Sequence, residues 1–197
     1  MTIKILMAVL VGIFTGRFFL PQEFTAYMGL LIDVGLSLLL FFVGIDIGRQ
    51  GNLYDKMKKI GFKVLLIPAM VAVGSILGAM VAGGFLGIPL QEAGAIGAGF
   101  GWYSLSAIEL SKHSAQLGTL AFLTNITREV LALLTIPIIA KYVGMLESIA
   151  PAGATAMDVT LPIISESTNA NVAVVSFITG VVLSSLVPIL VPLIMSF

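Results

Sequence analysis

The chain has 197 residues, no cysteine and a formal net charge of zero. Hydrophobic residues make up 58% and charged residues 10%, against roughly 45–50% and 25% in ordinary globular chains, and the mean hydropathy is +1.11. So few charges cannot cover the surface of a soluble domain, which excludes a soluble enzyme, a nucleic-acid binder and a disordered protein. The class that remains is an all-α polytopic membrane protein, with room for about five or six spanning helices of roughly 20 residues each.

The first apolar run, about residues 3–20, carries Lys4 near its start and Arg17 near its end. No small-residue cleavage site precedes Pro21, so this run reads as a retained helix. A second run, about 24–48, holds Asp33 inside and Asp46 near its end. Arg49–Lys63 then collects Arg49, Lys56, Lys58, Lys59 and Lys63 against Asp55. Positive loops stay in the cytoplasm, which places this loop and the N-terminus inside.

Val64–Gln91 and Ser167–Phe197 contain no Asp, Glu, Lys or Arg. A further run, about 117–145, carries Arg128 and Glu129 near its middle and Lys141 near its end. Together these runs make about five spans, and the C-terminus at Phe197 then faces outward. The expectation is one transmembrane domain over residues 1–197.

Two segments do not fit as spans. Residues 93–111 read AGAIGAGFGWYSLSAIELS, and residues 149–166 read IAPAGATAMDVTLPIISE. Gly94, Gly97, Gly99 and Gly101 break the first; Pro151, Gly153 and Pro162 break the second. Irregular backbone at membrane depth survives only against protein or water, and transporters place such breaks at the substrate site. Both segments are therefore expected to be re-entrant. Their opposite sides of access suggest an inverted repeat. Ordinary short helices with small residues for close packing are the plainer alternative.

A charge near the bilayer centre costs at least about 2.5–3.5 kcal/mol, so Asp33, Arg128, Glu129 and Asp158 are candidate functional residues. Asn125 precedes Arg128 and Glu129 by three and four positions and lies beside both on the helix. One arrangement pairs Arg128 with another carboxylate and leaves Glu129 for substrate; a purely structural Arg–acid pair is the alternative. Asp158 sits between Thr155 and Thr160, where a carboxylate can be hydrated. Trp102, Tyr103 and Ser104, with Gly99 and Gly101, are expected to line a cavity, although Trp and Tyr also mark the membrane interface.

His113, the one histidine, reads as a loop residue. GAGFG follows no strand and has the wrong spacing for a dinucleotide fingerprint. No HExxH occurs, and Gly44-Ile45-Asp46 lacks the second glycine of an intramembrane aspartyl protease. No metal, cofactor or enzymatic activity is expected. A transporter or channel for a small cation or metabolite fits best, because a purely structural subunit needs no costly acids in its spans.

GAGFGWYSLS, LAFLTNITREVLALLTIP and PAGATAMDVTLPII resemble, in order, the LysO-type lysine exporter family of bacteria and archaea. The resemblance is strong over roughly residues 60–197 and extends to the first third only in hydropathy. It implies export of L-lysine and its analogues across the inner membrane. The family's two essential intramembrane acids carry over to Glu129, in the TRE stretch, and Asp158, in the AMD stretch. Members commonly have further N-terminal spans. The resemblance therefore leads to the expectation of a homo-oligomer, or of a separate small membrane subunit in a two-chain exporter. Lysine is a net cation, so its export against an inside-negative potential costs about 2.3 kcal/mol per 100 mV, and proton antiport is expected to drive it.

Overall fold

The computed structural model describes residues 2–19 and 64–197, with isolated positions between 27 and 45. Asp33, Asp46 and the basic loop 49–63 lie outside the described residues. Among the continuously described stretches seven α-helices follow in order: α1 Thr2–Phe18, α2 Leu66–Phe85, α3 Leu90–Gly97, α4 Tyr103–Ser111, α5 Ala115–Tyr142, α6 Leu161–Ser167 and α7 Ala170–Met195. Two 3₁₀ turns, Glu147–Ile149 and Gly153–Met157, lie between α5 and α6. No strand occurs among the described residues.

Among these residues α2, α5 and α7 are long and apolar enough to cross a bilayer, at 20, 28 and 26 residues. Helix α1, with 17 residues, matches the first apolar run and packs against α5. Leu66, Met70, Leu77 and Val81 on α2 are exposed, as are Leu131 on α5 and Ile189 on α7. Outward-facing apolar side chains of this kind belong against lipid. The chain is a helical multi-pass membrane protein.

Local chemistry sets the helix ends. The Ser114 side chain accepts from Leu117 N at 3.1 Å and starts α5. Asn169 does the same for α7 through Val172 N at 3.2 Å. These caps satisfy first-turn donors that have no intrahelical partner. The apolar run 64–91 is not one helix. It stops at Phe85, turns at Gly87 with φ of 72°, and restarts as α3 after Pro89. Gln91 Nε2 then donates to Ile194 O at 3.1 Å, which ties the start of α3 to the end of α7.

Two apolar clusters flank the centre. One joins Val71, Ile96, Phe100, Leu117, Leu183 and Val187. The other joins Ile136, Ile149, Ala152, Ala156, Ile164 and Val175. Gly180 of α7 lies so close to Met157 and Ala154 that a β-carbon would collide with them. Small residues permit this backbone approach, and it places the second 3₁₀ turn directly on α7.

Candidate functional site

The first broken segment interrupts at residues 98–102, between α3 and α4. Phe100 and Gly101 both take positive φ, 48° and 97°. A left-handed phenylalanine is strained, and here it is held by full burial and by a clip from α5. Asn125, 2% exposed, accepts from Gly101 N at 2.7 Å and donates to Ile96 O at 3.2 Å. Its amide also reaches Ser106 Oγ at 3.3 Å. A β-carbon on Gly99 would lie 2.7 Å from that amide nitrogen, so glycine is needed for the clip to close.

The second broken segment passes through Gly153, at φ of 62°. Here the two breaks meet. Ala154 N donates to Phe100 O at 2.8 Å, and a β-carbon on Gly153 would collide with the same carbonyl. Thr160 Oγ1 donates to Thr155 O at 2.9 Å, and Thr155 Oγ1 to Ala152 O at 2.9 Å. From α7, Ser176 Oγ donates to Ala156 O at 2.7 Å. Carbonyls freed by the break are thus satisfied by hydroxyls, as buried backbone requires.

A cavity of about 210 Å³ opens at this crossing, lined by residues of α4, α5, α7 and both breaks. Gly101, Trp102, Tyr103 and Ser104 line it from the first segment, Thr155 and Asp158 from the second, and Glu129 from α5. Trp102 and Ser104 are exposed on its open side. Glu129 Oε2 is buried with no hydrogen-bond partner among the described residues. Asp158 Oδ1 accepts from Val159 N at 2.6 Å. The ion pair found among these residues is Lys112–Glu109, at the C-terminal end of α4, so neither cavity carboxylate has a basic partner there. The cavity can therefore accept a cation.

Seven residues singled out from the sequence converge on this cavity. Asn125, Gly99 and Arg128 stand behind its wall instead, and Asp33 lies outside the described residues. The expected pairing of Arg128 with a carboxylate is not found among the described residues. Its Nε donates to Pro151 O at 3.0 Å, Nη2 to Ala150 O at 3.1 Å and Nη1 to Ser75 Oγ at 2.7 Å. Backbone N–H groups at a break can in principle bind a substrate carboxylate. Most here are already engaged: Gly101 N by Asn125, Ala154 N by Phe100 O, Trp102 N by Gly99 O and Thr155 N by Ala152 O. The first turn of α4, at Tyr103 and Ser104, is the helix N-terminus that borders the cavity.

Met157, Val159 and Ser184 also line the cavity and were missed in the sequence. Ser184 carried a signal: it falls two turns after Ser176 on a mostly apolar helix, with Gly180 between them. That spacing puts all three on one face.

Comparisons with known proteins give the family. Residues 6–195 match the family described as lysine exporter LysO. A putative lysine exporter of Haemophilus influenzae is 32% identical over 195 residues, which cover 98% of this chain and 98% of that protein. The lysine exporter LysO of Escherichia coli is 33% identical over 157 residues, 79% of this chain but 52% of that protein. The similarity thus takes in the first third of the chain, beyond the reach of the three motifs. No solved structure matches.

Proposed function

Since the chain belongs to the LysO family of lysine exporters, we propose that it exports L-lysine from the cytoplasm in exchange for protons. The observation that carries this reading is the sharing of one cavity by Glu129 and Asp158, without a basic partner among the described residues. Lysine brings two ammonium groups and one carboxylate. A dehydrated ammonium needs a counter-charge, and the two acids supply one each. The substrate carboxylate goes to the Ser104 hydroxyl and the N-terminal turn of α4, where the helix dipole favours an anion.

The exchange follows from the same groups. When lysine leaves, a carboxylate in this cavity takes a proton instead of an ammonium. Carrying one net charge outward costs about 2.3 kcal/mol per 100 mV of inside-negative potential. Returning one proton inward cancels that electrical cost. In this reading the two broken segments reach the cavity from opposite sides of the inner membrane, with the N-terminus cytoplasmic and the C-terminus outside. In the same reading the active unit contains further polypeptide, as a homo-oligomer or with a small membrane subunit, and the groove lined by Thr124, Thr127 and Arg128, uncovered among the described residues, is a place where it could seat.

The test is efflux of labelled lysine from proteoliposomes, with an imposed pH gradient at clamped membrane potential. A gradient driving protons toward the lysine-loaded side accelerates efflux if the reading is right. Rates unchanged when the gradient is collapsed would sink proton coupling. Absence of lysine flux would sink the substrate. Light scattering of the detergent-purified chain tests assembly: a monodisperse single chain that transports lysine overturns that part.

A further inference from the structure

Arg128 is adjacent in sequence to Glu129 yet does not line the cavity. All of its bonded partners among the described residues are neutral. Two are Ala150 O and Pro151 O, at the end of the 3₁₀ turn Glu147–Ile149. Carbonyls there lack intrahelical partners, and a cation is favoured at that end of a helical turn. The third, Ser75 Oγ on α2, itself donates to Gly97 O at the end of α3 at 2.8 Å. One guanidinium therefore joins α5 to the second break directly, and to α2 and the first segment through Ser75. Gly153 leaves room for it: a β-carbon there would lie 3.0 Å from Nη2.

We infer that Arg128 is a positioning residue, which ties both broken segments to α5 and thereby sets the separation of Glu129 and Asp158 across the cavity. Two consecutive carbonyls on one edge and a serine hydroxyl from another helix match the rigid fork of a guanidinium, which a lysine ammonium on a flexible stem lacks. The charge serves the fork, since no acidic partner is present among the described residues. This inference rests on the reading of the cavity as a lysine site only for its kinetic consequence; its geometric consequence stands apart.

The experiment compares wild type, Arg128→Lys, Arg128→Gln and Ser75→Ala in proteoliposomes, measuring KM for lysine and for ornithine, which is one methylene shorter. A carboxylate misplaced by about 1 Å costs up to about a hundredfold. Arg128→Lys and Arg128→Gln should therefore behave alike, each raising the KM for lysine about tenfold or more. Both should shift the ornithine-to-lysine KM ratio by about threefold or more, because the altered spacing suits a different amine separation. Ser75→Ala, which keeps the guanidinium and cuts one anchor, should shift the ratio the same way by less. Mere loss of folded protein lowers the amount of active transporter and moves neither KM nor the ratio.

Restoration of the wild-type KM by Arg128→Lys would overturn the inference in favour of a simple charge. An unchanged ratio would also overturn it, read from Ser75→Ala if the Arg128 variants cannot be purified. A second measurement needs no transport. Spin labels on Lys112→Cys and Glu166→Cys, both exposed in a chain without native cysteine, report the distance between the segments. A narrow distribution should broaden in Arg128→Lys, or in Ser75→Ala if need be; an unchanged distribution counts against positioning. Absence of lysine flux in wild type, with broadening in the variant, would defeat the lysine reading and leave the positioning role standing.

Discussion

Glu129→Gln and Asp158→Asn remove one negative charge each and almost no volume. The structure says what else they disturb. Glu129 Oε2 has no hydrogen-bond partner among the described residues, so an amide at that position breaks no bond to it there. Asp158 Oδ1 accepts from Val159 N, and the amide oxygen of asparagine can keep that bond. Both variants should insert and fold. The lost interaction is that of an ammonium with a carboxylate, worth about 4 kcal/mol at about 4 Å and an effective dielectric of about 20. At about 1.4 kcal/mol per tenfold, that is close to three orders of magnitude. The cavity is open at Trp102 and Ser104, so water recovers part of it, and a loss of about 100- to 1,000-fold in lysine affinity is expected. Calorimetric titration of the purified variants, alongside efflux from proteoliposomes, measures it. A well-folded variant with wild-type affinity and wild-type efflux would remove that acid from the site.

Other outcomes can be checked independently. Gly153→Ala places a β-carbon against Phe100 O at a positive φ; the left-handed conformation alone costs about 1–2 kcal/mol, so thermal unfolding in detergent should fall by several degrees, and an unchanged midpoint would deny that the two breaks touch there. Asn125→Ala strips the partner from Gly101 N and leaves it buried, at about 1–3 kcal/mol; hydrogen exchange at residues 98–102 should quicken, and unaltered protection would contradict the clip. In intact cells, an impermeant thiol reagent should label Phe197→Cys and spare Met57→Cys; labelling of the latter from outside would reverse the orientation.

Much of the site could be read before folding was considered. Bilayer thickness demands long apolar runs, so α2, α5 and α7 stand out by hydropathy. Glycine and proline announce both breaks, because few other residues accept their backbone geometry. Acids in an apolar chain stand out because burying them is costly, and Glu129 and Asp158 do come together.

The rest depended on three dimensions. Hydropathy cannot separate α2 from α3, since Gly87 and Pro89 sit inside one uncharged run. It also could not assign Arg128 its partners. A search for an opposite charge looks among side chains, whereas the acceptors are two backbone carbonyls that every residue carries and a serine 53 positions away. Ser184 is hidden for a similar reason: its helix is read by its apolar majority, and only the close approach of Gly180 to Met157 turns its face toward the cavity. Composition and spacing thus determined that this chain lives in a membrane, where its helices break, and which acids are costly enough to need a purpose. Tertiary structure decided which backbone groups were left open by the breaks and which side chains fill them, because hydrogen bonds to main chain carry no residue-type signature.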